Sequence, residues 1–377
     1  MIKLLDVCKI GGKAVKDFEG EKKYIATGDI IDNQIVSFEK VTYKNKPSRA
    51  NVLIDINDVI FAKMQNTIKV LKANENNITN IYSTGFYSLT PGQNLSKDFL
   101  YYFLNSKSFN SQKDKNCSGA TQKALNNEGL EKILIKDLPS MEEQLKIVKK
   151  LSLLDELVNY KKNEINKLEE LIKSQFVEMF GDVKNSKYKK DYLSNLTLKI
   201  TDGKHGGCKS ENNSGYYFIG ATEIYNNKIN YDGCNQITEE DFNKDYKRCD
   251  LQKNDFVIVN TGATIGKSAI VTDDRCYKTL LQKSVALIRT DEKNLLPLYL
   301  KYCYDSESSL YNVGQGCARV NLLLSQIRKT LIPVPPIKLQ NKFSNIVKQI
   351  DKQKFEFEKQ LEKLEELQAS LMQEYFG

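Results

Sequence analysis

One long segment occurs twice in this chain, and that duplication limits its architecture more than any other feature. Gln144 to Gly181 and Gln340 to Gly377 align at an offset of 196. Gln144 falls on Gln340, Asp155 on Asp351, and Lys167-Leu168-Glu169-Glu170-Leu171 on Lys363-Leu364-Glu365-Glu366-Leu367. Ser174 then meets Ser370, Glu178 meets Glu374, and Phe180-Gly181 meets Phe376-Gly377. Upstream, at an offset of 197, Asn57-Asp58 aligns with Asn254-Asp255, Thr67-Ile68 with Thr264-Ile265, Gly119 with Gly316, Leu125 with Leu322 and Ile135 with Ile332. The repeat unit is about half of the 377 residues, so the order is globule, helix, globule, helix and not a solenoid of short repeats.

The repeated segment has a heptad pattern. Ile147, Leu151, Leu154, Val158, Lys161, Ile165, Leu168, Ile172, Gln175 and Met179 alternate steps of four and three. Phe343, Val347, Ile350, Lys354, Phe357, Leu361, Leu364, Gln368, Leu371 and Tyr375 do the same. The polar breaks coincide, Lys161 with Lys354 and Gln175 with Gln368. This is the spacing of a coiled-coil seam, about 48 Å long at 1.5 Å per residue. Pro139 precedes the first helix, Pro333 and Pro335-Pro336 precede the second, and a Phe-Gly pair ends each. Two equal helices in one chain can pair antiparallel and hold a globule at each end, which sets a fixed distance between two similar domains. The expected division is 1–138 and 182–335 for the globules, 139–181 and 336–377 for the helices.

Composition narrows the class. No stretch approaches the roughly 20 apolar residues that span a bilayer, and the N-terminus lacks a signal-peptide pattern, so a cytoplasmic location is expected. Eight cysteines are scattered singly and His205 is the only histidine, a poor basis for a zinc site or a disulfide framework. The net charge of +8 suits a polyanionic partner without proving one.

Both globules read as mixed but mainly β. Short β-branched and aromatic runs recur at Tyr24-Ile25, Val52-Leu53-Ile54, Asn57–Phe61, Tyr216–Ile219, Phe256–Val259, Ser268–Val271 and Ser284–Ile288. Short helices are expected over Lys97–Leu104 and Pro297–Tyr304. The fold class is thus α+β with an internal duplication.

Three loops carry polar chemistry. Asn260-Thr261-Gly262-Ala263-Thr264-Ile265-Gly266-Lys267-Ser268 imitates a phosphate-binding loop, but only three residues separate Gly262 from Gly266 where that loop needs four. A β-hairpin that touches DNA fits it better. Thr201-Asp202-Gly203-Lys204-His205-Gly206-Gly207 holds the lone histidine, and Ser118-Gly119-Ala120-Thr121-Gln122-Lys123 is matched by Gln315-Gly316-Cys317-Ala318-Arg319. No catalytic or metal-ligating constellation stands out, and the adenosylmethionine-binding and adenine-methyltransferase motifs are not found.

In this layout the chain resembles the specificity subunit of type I restriction-modification systems. The resemblance rests on the duplicated helices, on Lys199 to His205, Phe218-Ile219-Gly220-Ala221, Lys253 to Ile258 with the loop that follows, and Leu331 to Pro336 leading into Gln340. The first globule contributes Asp58 to Lys63 and Ser83-Thr84-Gly85-Phe86-Tyr87, but has Lys63-Met64-Gln65-Asn66-Thr67-Ile68-Lys69 in place of the glycine-rich loop and Lys136 in place of Pro333.

The resemblance implies two mainly-β target-recognition domains separated by an antiparallel coiled coil, each reading half of a split site in double-stranded DNA. It also implies two modification subunits that methylate adenine N6 with S-adenosylmethionine, and restriction subunits that use ATP and Mg, with no cofactor in this chain. The candidate DNA contacts are Lys63, Gln65, Asn66, Thr84 and Lys123 in the first globule, and Lys204, His205, Asn260, Thr261, Thr264, Lys267, Gln282 and Arg319 in the second. A coiled-coil interaction scaffold without DNA specificity is the alternative, and a nucleotide-binding enzyme built on Gly262–Ser268 is a third.

Overall fold

Buried apolar runs decide where the sheets form. The structure, a computed structural model, describes residues 1–120, 122–307 and 321–377. The chain divides into two compact units, Met1–Asn163 with Glu358–Gly377, and Glu164–Phe357. Each unit holds one globule together with a stretch of both long helices.

In the first unit, strands β1 (Cys8–Ile10), β2 (Lys22–Ile25), β3 (Glu39–Val41), β4 (Ala50–Val52), β5 (Val59–Ala62), β6 (Val70–Lys72), β7 (Ile81–Ser83) and β8 (Phe86–Pro91) form two sheets. Their orders are β1-β8-β5-β6 and β3-β2-β7-β4, with β2 and β7 parallel. All four residues of β5 are buried, which is why it reads as an unbroken apolar run. Helix α1 (Lys97–Asn105) starts at Ser96, whose Oγ accepts from Phe99 N at 3.0 Å. It buries Phe99, Leu100 and Phe103 in the core. Helix α2 (Lys107–Lys115) adds Phe109, edge-to-face with Phe61 at 5.1 Å. The expected strand Val52-Leu53-Ile54 is displaced: Leu53 makes only an isolated bridge to Lys13, and the ladder occupies β4 instead.

The first long helix is α3 (Met141–Phe180). The second unit repeats one four-stranded sheet and reduces the other to its parallel pair, with β9 (Thr197–Asp202), β10 (Tyr217–Ile219), β11 (Phe256–Val259), β12 (Ser268–Ile270), β13 (Thr279–Leu281) and β14 (Val285–Thr290). The order β9-β14-β11-β12 copies β1-β8-β5-β6, and β10 pairs parallel with β13 as β2 does with β7. Helix α4 (Glu239–Cys249) has no expected counterpart, α5 (Pro297–Ser306) corresponds to α1, and α6 (Ile337–Phe376) is the second long helix.

All twenty heptad positions are buried or half-buried. In the first unit α3 and α6 run antiparallel: Gln368 Nε2 donates to Asp155 Oδ1 at 2.5 Å, and Lys162 pairs with Glu365 at 2.9 Å. In the second unit Lys354 pairs with Glu169. Two polar breaks of the second seam thus find charged partners on the first helix. Phe376 packs on Phe99 at 5.0 Å in the first unit, and Phe180 packs on Tyr299 at 4.8 Å in the second. Gly181 ends α3 at φ +73°, a left-handed stop that favours glycine.

Repeated polar residues have repeated jobs. Asp58 Oδ2 accepts from Asp55 N at 2.9 Å, and Asp255 Oδ2 from Gln252 N at 2.8 Å, so each buried aspartate closes the turn before its central strand. Among the described residues no helix is long and apolar enough to cross a membrane.

Candidate nucleic-acid interface

In the first unit, backbone hydrogen bonds gather three loops into one rim. Lys63 N donates to Gly85 O and Leu125 N donates to Lys63 O, both at 2.9 Å. Gln65 N donates to Lys123 O at 3.0 Å, and Thr84 N to Arg49 O at 2.8 Å. Lys63, Gln65, Asn66, Thr84 and Lys123 are therefore brought together. Asn66, Thr84 and Lys123 are exposed, whereas Lys63 and Gln65 are half-buried. Lys63 Nζ lies 4.1 Å from the centre of the Tyr87 ring, and burial pushes its ammonium pKa down. Gln65 Nε2 donates to Asp114 O at 3.0 Å, and Asn66, at φ +57°, donates its N–H to Asp114 Oδ1 at 3.0 Å. Two further lysines here are structural. Lys69 Nζ donates to Thr27 O at 2.7 Å, and the buried Lys113 donates to Met64 O at 3.2 Å and to Thr67 O.

The second unit builds the corresponding rim. Asn260 N donates to Ser284 O at 2.9 Å, Leu322 N donates to Asn260 O at 2.8 Å, and Thr261 bridges to Asn321. The loop of Asn260 to Lys267 joins antiparallel strands β11 and β12, with Ile258 opposite Ser268. A phosphate-binding loop requires a helix after its lysine, and here a strand begins at Ser268. Lys267 is exposed, Thr261 and Thr264 are half-buried, and Asn260 is only 6 % exposed. The buried Asn260 Oδ1 has no hydrogen-bond partner among the described residues. Gln282 is half-buried, and its N–H donates to Ile219 O at 2.8 Å. Arg319 and Thr121 lie outside the described residues.

Helix α4 positions the histidine loop. Lys204 Nζ pairs with Asp245 at 2.6 Å, and that hydrogen bond raises the lysine pKa. Arg248 pairs with Asp202, whose Oδ2 lies 3.5 Å from Nε2 of the exposed His205. At Gly203 a Cβ would collide with the carbonyl oxygens of Leu281 and Gln282, so glycine lets the loop lie on the end of β13. Sequence reasoning missed the supports Asp245 and Arg248. The signal was present: Thr238 as N-cap, three acids in the first turn of α4, and Lys247-Arg248 in the last. It also passed over Arg49, which lies at the first rim.

The described cysteines are free thiols, and among the described residues no group of three or more potential ligands is placed to hold a metal ion. What the rims present is hydrogen-bonding groups and charge.

Comparison with known proteins agrees with this geometry. A family model described as the type I restriction modification DNA specificity domain matches residues 1–170 and again 199–368. The specificity subunit of the type I restriction enzyme EcoBI from Escherichia coli is 23 % identical over 285 residues, which cover 68 % of this chain. That match spans 59 % of the relative's own length, under two thirds. Two solved structures share the fold. A chain from work on complex assembly and conformational transition of the type I R-M system gives a TM-score of 0.60 at 19 % identity, covering 100 % of this chain and 96 % of the other. The S subunit of a type I restriction-modification system from M. genitalium gives 0.53 at 16 %, covering 99 % and 94 %.

Proposed function

Because this chain belongs to the type I restriction modification DNA specificity domain family, we propose that it is the sequence-reading subunit of a DNA-modifying complex. Each globule takes one half of a split site in double-stranded DNA, and the paired long helices set the unread spacer. The observation that carries this reading is the repeated rim, one backbone frame that presents Lys63 in one globule and Asn260 in the other. A constant frame with different side chains can read two unlike half-sites, since phosphate contacts position a protein and base-edge contacts specify the sequence.

The chain supplies recognition and its partners supply chemistry. Two modification subunits methylate N6 of an adenine in each half-site using S-adenosylmethionine, after taking the base out of the stack. Restriction subunits add a motor and a nuclease that use ATP and Mg. The complex acts in the cytoplasm.

The test is co-production with the modification subunit in a host without adenine methylation, followed by long-read mapping of N6-methyladenine. The expected outcome is one split motif with a fixed spacer and a methylated adenine in each half. An assembled complex that binds S-adenosylmethionine yet leaves the DNA unmethylated overturns the proposal in favour of an interaction scaffold.

A further inference from the structure

Arg49 lies at the first rim beside Thr84. Thr84, just after β7, donates its N–H to Arg49 O at 2.8 Å. In the second globule Lys283, just after Gln282, donates its N–H to Lys204 O at 3.0 Å. Ser83 pairs with Ala50, and Gln282 with Lys204. Arg49 and Lys204 thus hold the same rim position, although one enters along an antiparallel strand and the other along a parallel bridge.

Their side chains are committed differently. Lys204 is 15 % exposed and tied to Asp245. Arg49 is exposed, and among the described residues its guanidinium makes no hydrogen bond, ion pair or ring contact. The other described arginines are all engaged: Arg248 by Asp202, Arg275 by Asp273, Arg289 by Asp255, and Arg328 by Ile200 O. Arg49 is also the only arginine in residues 1–138.

Position and chemistry agree. The register slips between Tyr82 and Ser83, which leaves Asn51 as an extra residue in β4, two positions from Arg49. Such bulges at sheet rims re-aim side chains. A guanidinium offers its donors in a rigid fork that matches O6 and N7 of guanine in the major groove, and lysine cannot reproduce that fork.

We propose that Arg49 is a specificity-determining residue of the first globule, its guanidinium reading O6 and N7 of a guanine in that globule's half-site. The proposal rests on the chain being a sequence-reading subunit.

The test uses the complex with its modification subunit, as wild type, Arg49→Lys and Arg49→Ala. Long-read mapping of methylated motifs is combined with binding of the complex to cognate and random duplexes. Both variants are expected to relax one G·C pair in one half of the motif and to leave the other half intact, with discrimination there falling roughly 5- to 150-fold. Arg49→Lys carries the test if Arg49→Ala fails to assemble, because it keeps charge and length. An unchanged motif in the variants, or equal loss on cognate and random DNA, overturns the proposal. A wild-type complex that methylates no split motif overturns the parent reading instead, and the proposal with it.

Discussion

Lys63 and Asn260 stand at the same backbone position of the two globules. Each donates its N–H to a carbonyl just past the equivalent strand, Gly85 O after β7 or Ser284 O after β13, and each carbonyl accepts from a leucine, Leu125 or Leu322. The frame is duplicated while the side chain is exchanged, from a half-buried ammonium over Tyr87 to a buried amide. Duplication followed by divergence at one position is how a single fold can come to recognise two different sequences.

Asn260→Ala is expected to relax one base position in one half-site only, and Lys63→Ala one position in the other half. Asn260 Oδ1 makes no hydrogen bond among the described residues, so its removal should leave the melting temperature nearly unchanged. Methylation mapping of both variants, with calorimetry as control, decides this. Relaxation in both halves by either variant counts against separate readers.

Lys267→Ala is expected to act differently. The side chain is exposed where the Asn260–Lys267 loop enters β12, its backbone held by Val259 N donating to Lys267 O at 2.8 Å, and it is suited to a phosphate. Binding should weaken equally on cognate and random duplexes, and the slope of log K against log salt should fall by about 0.9 for one lost contact. A salt titration of the variant complex measures it, and an unaltered slope removes Lys267 from the phosphate contacts.

Gln144 and Gln340 anchor the two long helices with the same three hydrogen bonds. Gln144 Nε2 donates to Asn94 O at 2.8 Å and Pro139 O at 2.9 Å, while its Oε1 accepts from Ser96 N at 2.8 Å. Gln340 Nε2 donates to Asn294 O and Pro335 O, both at 2.9 Å, and its Oε1 accepts from Leu296 N at 2.8 Å. Both side chains are fully buried. Either alanine variant leaves three backbone groups unsatisfied and should cost about 2–3 kcal/mol, read by chemical denaturation. Glutamate should be worse, because a carboxylate cannot donate to two carbonyls.

These glutamines show what the sequence makes legible. Their alignment was visible in the repeat, yet their role was not, because Asn94 and Asn294 lie far from them along the chain and a single sequence does not display such contacts. The seam residues were legible for the opposite reason: an i, i+3, i+4 rhythm is local. Helix α4 escaped because its apolar face is thin, just Phe242, Tyr246 and Cys249 among charges. Its loss hid the supports of Lys204 and His205. Arg49 escaped because a lone arginine beside a short strand carries no pattern. Only the carbonyl that holds Thr84 shows that it occupies the position of Lys204.

The buried aspartates yield the last prediction. In the first unit Asp58 accepts from the hydroxyls of Ser88 at 2.8 Å and Thr90 at 2.5 Å. In the second, Asp255 takes both Nε and Nη2 of Arg289 at 2.8 Å, and that bond raises the guanidinium pKa further. Removing the guanidinium leaves a carboxylate that is 1 % exposed without its ionic partner. Arg289→Ala should therefore cost about 3–5 kcal/mol. Thr90→Ala should cost only about 1 kcal/mol, because Asp58 keeps Ser88 and the N–H of Asp55. Denaturant unfolding of the two variants measures the contrast. Equal losses would mean that the hydroxyl pair and the guanidinium satisfy their aspartates equally well, and that the divergence between the two copies at this position carries no energetic consequence.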